Sequence, residues 1–106
     1  MTFKEAAEGD MEVFFNLEEF ADTHNIDGVD MPIIVDEDRL EELKHSKDTY
    51  IEGIYKARLL FHVKKSDFGG KPANDTVIEV DGRTCRVIDS AEDSGVITII
   101  LGWYND

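Results

Sequence analysis

Thr76-Val77-Ile78-Glu79-Val80-Asp81-Gly82-Arg83-Thr84-Cys85-Arg86-Val87-Ile88-Asp89-Ser90 is the stretch whose reading sets the fold class. Two β-prone runs, 76–80 and 83–90, flank Asp81-Gly82. Asp-Gly is favoured in two-residue hairpin turns because both central positions need positive φ. Downstream, the polar turn 91–95 leads into the β-branched run 96–101. Upstream, 57–64 alternates, with Leu59, Phe61 and Val63 on one face and Arg58, His62 and Lys64 on the other. Between these strands, 66–74 holds Gly69-Gly70 and Pro72 and reads as a loop. Further upstream, 19–26 and 29–35 flank a second Asp-Gly pair, Asp27-Gly28, and read as another hairpin.

Five or six short strands linked by tight turns predict a mainly β fold, a small antiparallel β-barrel or sandwich. Two helices accompany it. Asp36-Glu37-Asp38 runs into Arg39-Leu40-Glu41-Glu42-Leu43-Lys44, a short inserted helix that Asp38 can cap and whose C-terminal end Lys44 complements. The segment 51–55 reads as extended. At the front, Thr2 and Glu5 fit a capping box for a helix over 2–17, with Ala6, Ala7, Met11, Phe14 and Phe15 on one face. A lone helix of that length is marginal in water and must dock on something. The expected organisation is a helical segment at 1–17 and a β-barrel domain at 18–106, with an insertion at about 36–50.

The chain has 106 residues, 42% of them apolar, which suffices for one domain with a core. Its 24 acidic and 11 basic residues give a net charge of −13. Residues 1–53 hold 16 acids against 4 bases, whereas 54–106 hold 8 against 7. This charge disfavours sequence-independent nucleic-acid binding, which rests on Lys and Arg neutralising phosphates. It equally disfavours anionic membranes. A single cysteine, Cys85, cannot form an internal disulfide and suggests a reducing compartment. The first residues carry no signal-peptide pattern, and no run approaches a membrane span. A soluble protein made in the cytosol is expected.

No catalytic, cofactor-binding or metal-ligating residue is expected. His24, His45 and His62 lie far apart with no paired cysteines, unlike zinc ligands, and His62 reads as a surface residue. Cys85 reads as a small packing residue. Asp27, Asp30, Asp36, Glu37 and Asp38 suggest calcium, but no register from Asp22, Asn25 or Asp27 satisfies an EF-hand loop. Asp67-Phe68-Gly69 copies the kinase magnesium triplet without the catalytic or glycine-rich loops, so the match is chance. G-x-S-x-G, P-loop and dinucleotide fingerprints are missing. An enzyme is not expected.

One ordered set of motifs goes beyond composition. The run from Asn74-Asp75 through the Asp81-Gly82 hairpin to Ser90 is followed by Glu92-Asp93-Ser94-Gly95-Val96. Ahead of it come Glu19-Phe20-Ala21, His24-Asn25-Ile26-Asp27-Gly28, Pro32-Ile33-Ile34-Val35-Asp36, Gly53-Ile54-Tyr55 and Leu59 through Asp67. Together, over about 12–102, they resemble the small head–tail joining (attachment, stopper or head completion) proteins of tailed bacteriophages and prophages, Gram-positive branch. Asn74-Asp75 departs from the Gly-Asp that often precedes the hairpin there, at little cost, because Asn tolerates left-handed backbone.

The resemblance implies a β-barrel subunit of the virion neck, assembled in the host bacterial cytoplasm. Monomeric in isolation, it would form a homo-oligomeric ring under the portal-side adaptor. That ring would close the DNA-filled head, enclose DNA without specific binding, and dock the tail terminator or other tail proteins. The alternative from the residues alone is a small-molecule-binding or accessory β-barrel without catalysis, with Tyr55, Trp103 and Tyr104 as candidate pocket aromatics. An acidic mimic of nucleic acid fits the charge but lacks demonstrable phosphate-like spacing.

Overall fold

The computed structural model describes residues 21–47 and 51–105. The helix expected over 2–17 and the first residues of the 19–26 strand lie outside them. Strands β1 (Asp22–Ile26), β2 (Val29–Val35), β3 (Ala57–Lys64), β4 (Val77–Val80), β5 (Arg83–Asp93) and β6 (Val96–Trp103) form a closed antiparallel barrel in the order β1-β2-β3-β6-β5-β4. Helix α1 (Glu37–Lys44) bridges β2 and β3. A single helical turn, α2 (Lys65–Phe68), follows β3, at the start of the stretch expected to be loop throughout.

Both Asp-Gly pairs turn hairpins as expected. Asp27 and Gly28 have φ of 51° and 88°, and Asp81 and Gly82 have 51° and 85°, so each turn holds two left-handed residues. The third hairpin corrects the sequence reading. Ladder pairing continues through Ala91, Glu92 and Asp93, and the turn is only Ser94-Gly95, again with two positive φ values. Serine tolerates that conformation less readily than Asp, which is why the tighter turn was hidden in a polar run.

The barrel interior is a side-chain core. Ile26, Met31, Ile33, Phe61, Val63, Ile78, Val80, Cys85, Val87, Ile97, Ile99 and Leu101 pack together there. Each strand supplies alternate residues, as the two-residue period requires. A bulge between Val87 and Asp89 breaks this alternation in β5. Before it, Cys85 and Val87 point inward; after it, Ala91 joins a second cluster on the other side of the wall.

That second cluster lies under α1, where Leu40 and Leu43 cover Ile51, Ala57, Leu60, Ala91 and Ile100. Burying each leucine contributes about 2 kcal/mol to docking the helix. Three expectations fail around this covered outer face of β3. His62 is buried, not a surface residue. The helix begins earlier than expected, so its cap is Asp36, whose carboxylate accepts from the Arg39 N–H at 2.9 Å; Asp38 sits in the first turn. The segment 51–55 is not extended: Gly53 is left-handed and Ile54–Lys56 forms a 3-10 turn that folds back over the barrel wall.

Closure of the barrel depends on few backbone pairs. Strands β1 and β4 share one ladder pair, Ile26 with Val80. The two Asp-Gly turns complete the seam reciprocally. Asp27 donates its N–H to the Glu79 carbonyl and accepts the Glu79 N–H on Oδ1, both at 2.8 Å. Asp81 donates its N–H to the Asn25 carbonyl at 2.8 Å and accepts the Asn25 N–H on Oδ1 at 2.9 Å. Asn25 adds bonds to Asp30 and to the Gly28 N–H, and His24 Nδ1 meets Asp81 Oδ2 at 2.6 Å. The His24 and Asn25 bonds hold the Asp81 carboxyl below its ordinary pKa.

Asp27→Gly and Asp81→Gly keep the turn geometry and remove only the side-chain bonds. Each is expected to lower stability by about 1 kcal/mol or more in urea denaturation, Asp27 losing its bond from the Glu79 N–H and Asp81 losing those from the Asn25 N–H and His24. Asp81→Asn tests the charge. A carboxylate with a depressed folded pKa stabilises above its unfolded pKa and stops doing so as pH falls through the folded value. The stability gap between wild type and Asp81→Asn should therefore be present at neutral pH and close below the ordinary carboxylate range. A gap that widens in acid would contradict this assignment.

Candidate functional site

The strand directions place several chemically distinctive residues at one end of the barrel. β5 starts and β6 finishes there, with Cys85 opposite Trp103. The Ile54–Lys56 turn reaches the same end, because Ala57 pairs with Gly102. Gly102 is what allows the turn to lie so close. A Cβ at this position would stand 3.0 Å from the Lys56 carbonyl oxygen and 3.3 Å from Ile88 Cδ1.

Between the turn and the strands runs a groove of about 510 Å³ lined by Tyr55, Lys56, Arg86, Ile88, Trp103 and Tyr104, with Glu52 and Asp75 also on its walls. Cations stack on aromatic rings throughout. The Arg86 guanidinium lies 5.0 Å from the Tyr104 ring centre, and Lys56 Nζ lies 5.8 Å from that of Tyr55. Arg83 covers Trp103 at 4.4 Å in an adjoining hollow. Such contacts hold a cation over an apolar surface while leaving its charge available. Tyr55 is 72% exposed and Tyr104 44%. The structure thus brings together the three aromatics singled out in the sequence. The arginines beside them were missed, although the hairpin register that sets Cys85 opposite Trp103 implies them.

A polar chain crosses the covered wall. Asp36 Oδ2 meets His62 Nε2 at 3.1 Å, and His62 Nδ1 meets the Thr98 hydroxyl at 2.8 Å. A carboxylate only accepts, so Nε2 carries a proton and donates to it. The order hydroxyl–imidazole–carboxylate is that of a nucleophile relay. However, His62 and Thr98 are each only 5% exposed, beneath α1, so the hydroxyl has no approach for a substrate. The chain ties the helix cap to β3 and β6. Sequence alternation placed His62 correctly on the outer face but could not show that α1 covers it.

The other candidates separate. His24 belongs to the barrel seam, while His45 pairs with Glu41 at the exposed end of α1. Cys85 is fully buried, donates weakly to the Arg83 carbonyl, and burial raises its thiol pKa. Among the described residues no group of three or more His, Cys, Asp or Glu side chains is placed to hold a metal ion. No helix among them is long and apolar enough to cross a membrane. Asp22, Asp27, Asp30, Glu37, Asp38, Glu41, Glu42 and Glu52 are exposed, so the acidity of the described part of the first half is surface charge. Comparison with protein-family models, curated proteins and solved structures finds no match for the chain.

Asp36→Ala removes the helix cap and also leaves His62 facing an apolar side chain. It is expected to cost about 2–3 kcal/mol in urea denaturation, more than the ~1 kcal/mol of an isolated cap. A loss no greater than that of an ordinary cap would show that the His62 link contributes nothing.

Proposed function

We propose that the protein is a structural subunit of a bacteriophage or prophage head–tail connector, acting by assembly and without bond chemistry. The observation that carries this reading is the ordered series of motifs from Glu19 to Val96 that resembles the small head–tail joining proteins. The fold gives those motifs a common physical purpose. Both Asp-Gly turns are the parts that hold the barrel shut, and the hydrophobic runs between them supply its interior.

In this reading, copies form a ring below the portal-side adaptor, close the filled head and present a docking face to the tail. Binding interfaces supply the energy. The barrel lumen is packed with side chains, so DNA passes through the ring of subunits, not through a subunit. Exposed carboxylates on that path would repel the phosphates and let DNA slide without sticking. The acidic first half of the chain suits such a position.

Deleting the coding sequence from the phage or prophage that carries it should leave DNA-filled heads and free tails that fail to join, seen by electron microscopy. Resupplying the protein should restore joining. Joined, infectious particles from the deletion would overturn the proposal. The 510 Å³ groove favours one second reading, a small-molecule-binding module, since its size lies in the range of ligand pockets. Strong thermal stabilisation by a single metabolite, abolished by Tyr104→Ala, would favour that reading instead.

A further inference from the structure

We infer that the cation–aromatic groove at the end of the barrel receives the acidic N-terminal segment, residues 2–17, of a second copy of this chain. The inference rests on the ring-assembly reading and names the contact that would build the ring. Three observations lead to it.

The first is chemical fit. Residues 2–17 carry Glu5, Glu8, Asp10 and Glu12 against Lys4, a net charge of −3, together with Phe3, Phe14, Phe15 and Met11. A segment that mixes carboxylates with phenylalanines needs a surface that mixes cations with aromatic rings. Lys56, Arg83 and Arg86, each stacked on Tyr55, Trp103 or Tyr104, form such a surface. Glu52 and Asp75 on the same walls make it a poor seat for a polyanion such as nucleic acid. They leave it suited to a peptide of mixed character.

The second is exposure. Tyr55 and Tyr104 are the exposed aromatic side chains among the described residues, and both line this groove. The interior and the α1 interface already hold their own complete apolar clusters. The third is topology. β1 runs antiparallel to β4, and β4 antiparallel to β5, so the chain enters β1 at the end of the barrel where β5 begins. The segment preceding Ala21 therefore leaves from the groove's end of the barrel, with β4 standing between β1 and β5 in the sheet order.

One surface that gives and a different surface that receives make a heterologous contact, the kind that closes into rings when the rotation allows. A subunit that offers its acidic segment to the next barrel and takes one from the previous barrel needs no other specific contact to propagate around an axis.

Full-length chains carrying either Phe14→Cys or Tyr104→Cys provide the test, each first shown by thermal melting to fold like the parent. Cys85 is fully buried and stays out of the reaction. The two variants are mixed, oxidised with copper–phenanthroline, and separated without reductant. Covalent trapping accumulates a transient contact, so the ring need not be the dominant species. The expected result is a mixed disulfide dimer in excess of either homodimer. Arg86→Glu in the Tyr104→Cys chain should lower its yield by about tenfold. A chain carrying both cysteines should give a ladder of oligomers. Absence of the mixed dimer, or a double variant that forms only an internal disulfide, would overturn the inference. Failure here with tails still lost on gene deletion leaves the connector reading standing; a ladder from a protein whose deletion has no joining defect removes that reading instead.

Discussion

The barrel depends on a seam that ordinary strand pairing does not complete. Six strands must close on one another, yet β1 and β4 share a single ladder pair. The remaining edge is held by two aspartates, each of which gives its own N–H to the opposite strand and takes an N–H back on its carboxylate. Because both lie at left-handed turn positions, the residues that reverse the chain also shut the barrel. Every other feature assumes this closure. The interior core needs a complete wall, and α1 needs a curved outer face on which Leu40 and Leu43 can be buried.

Much of this framework is legible in the sequence. Alternation in 57–64 and the paired Asp-Gly turns predict antiparallel hairpins at the right places, and β3 spans the expected residues. What the sequence hides follows from its local character. The bulge at Ile88 shifts the inward face of β5, so counting by twos from Cys85 misplaces Ala91. The fate of His62 is decided by a helix that covers its face from a different part of the chain. Asp27 and Asp81 announce their turns, but their bonds to residues more than 50 positions away cannot be read locally.

The fold gathers several of the surface charges into local groups. The acids of residues 21–47 lie on β1, β2, the turn between them and α1 with its cap, whereas Lys56, Arg83 and Arg86 gather with three aromatic rings, beside Glu52 and Asp75, at the end where β5 begins. The polar chain of Asp36, His62 and Thr98 is buried, while Tyr55 and Tyr104 stand exposed at one end of the barrel.

The most direct measurement of the proposed role is a cryo-electron microscopy reconstruction of the neck of tailed particles produced from a genome that carries this chain. The expected result is a ring of six-stranded barrels between portal and tail, each fitting this structure with its Asp27–Asp81 seam closed. A neck resolved at side-chain detail with no place for this barrel would contradict it.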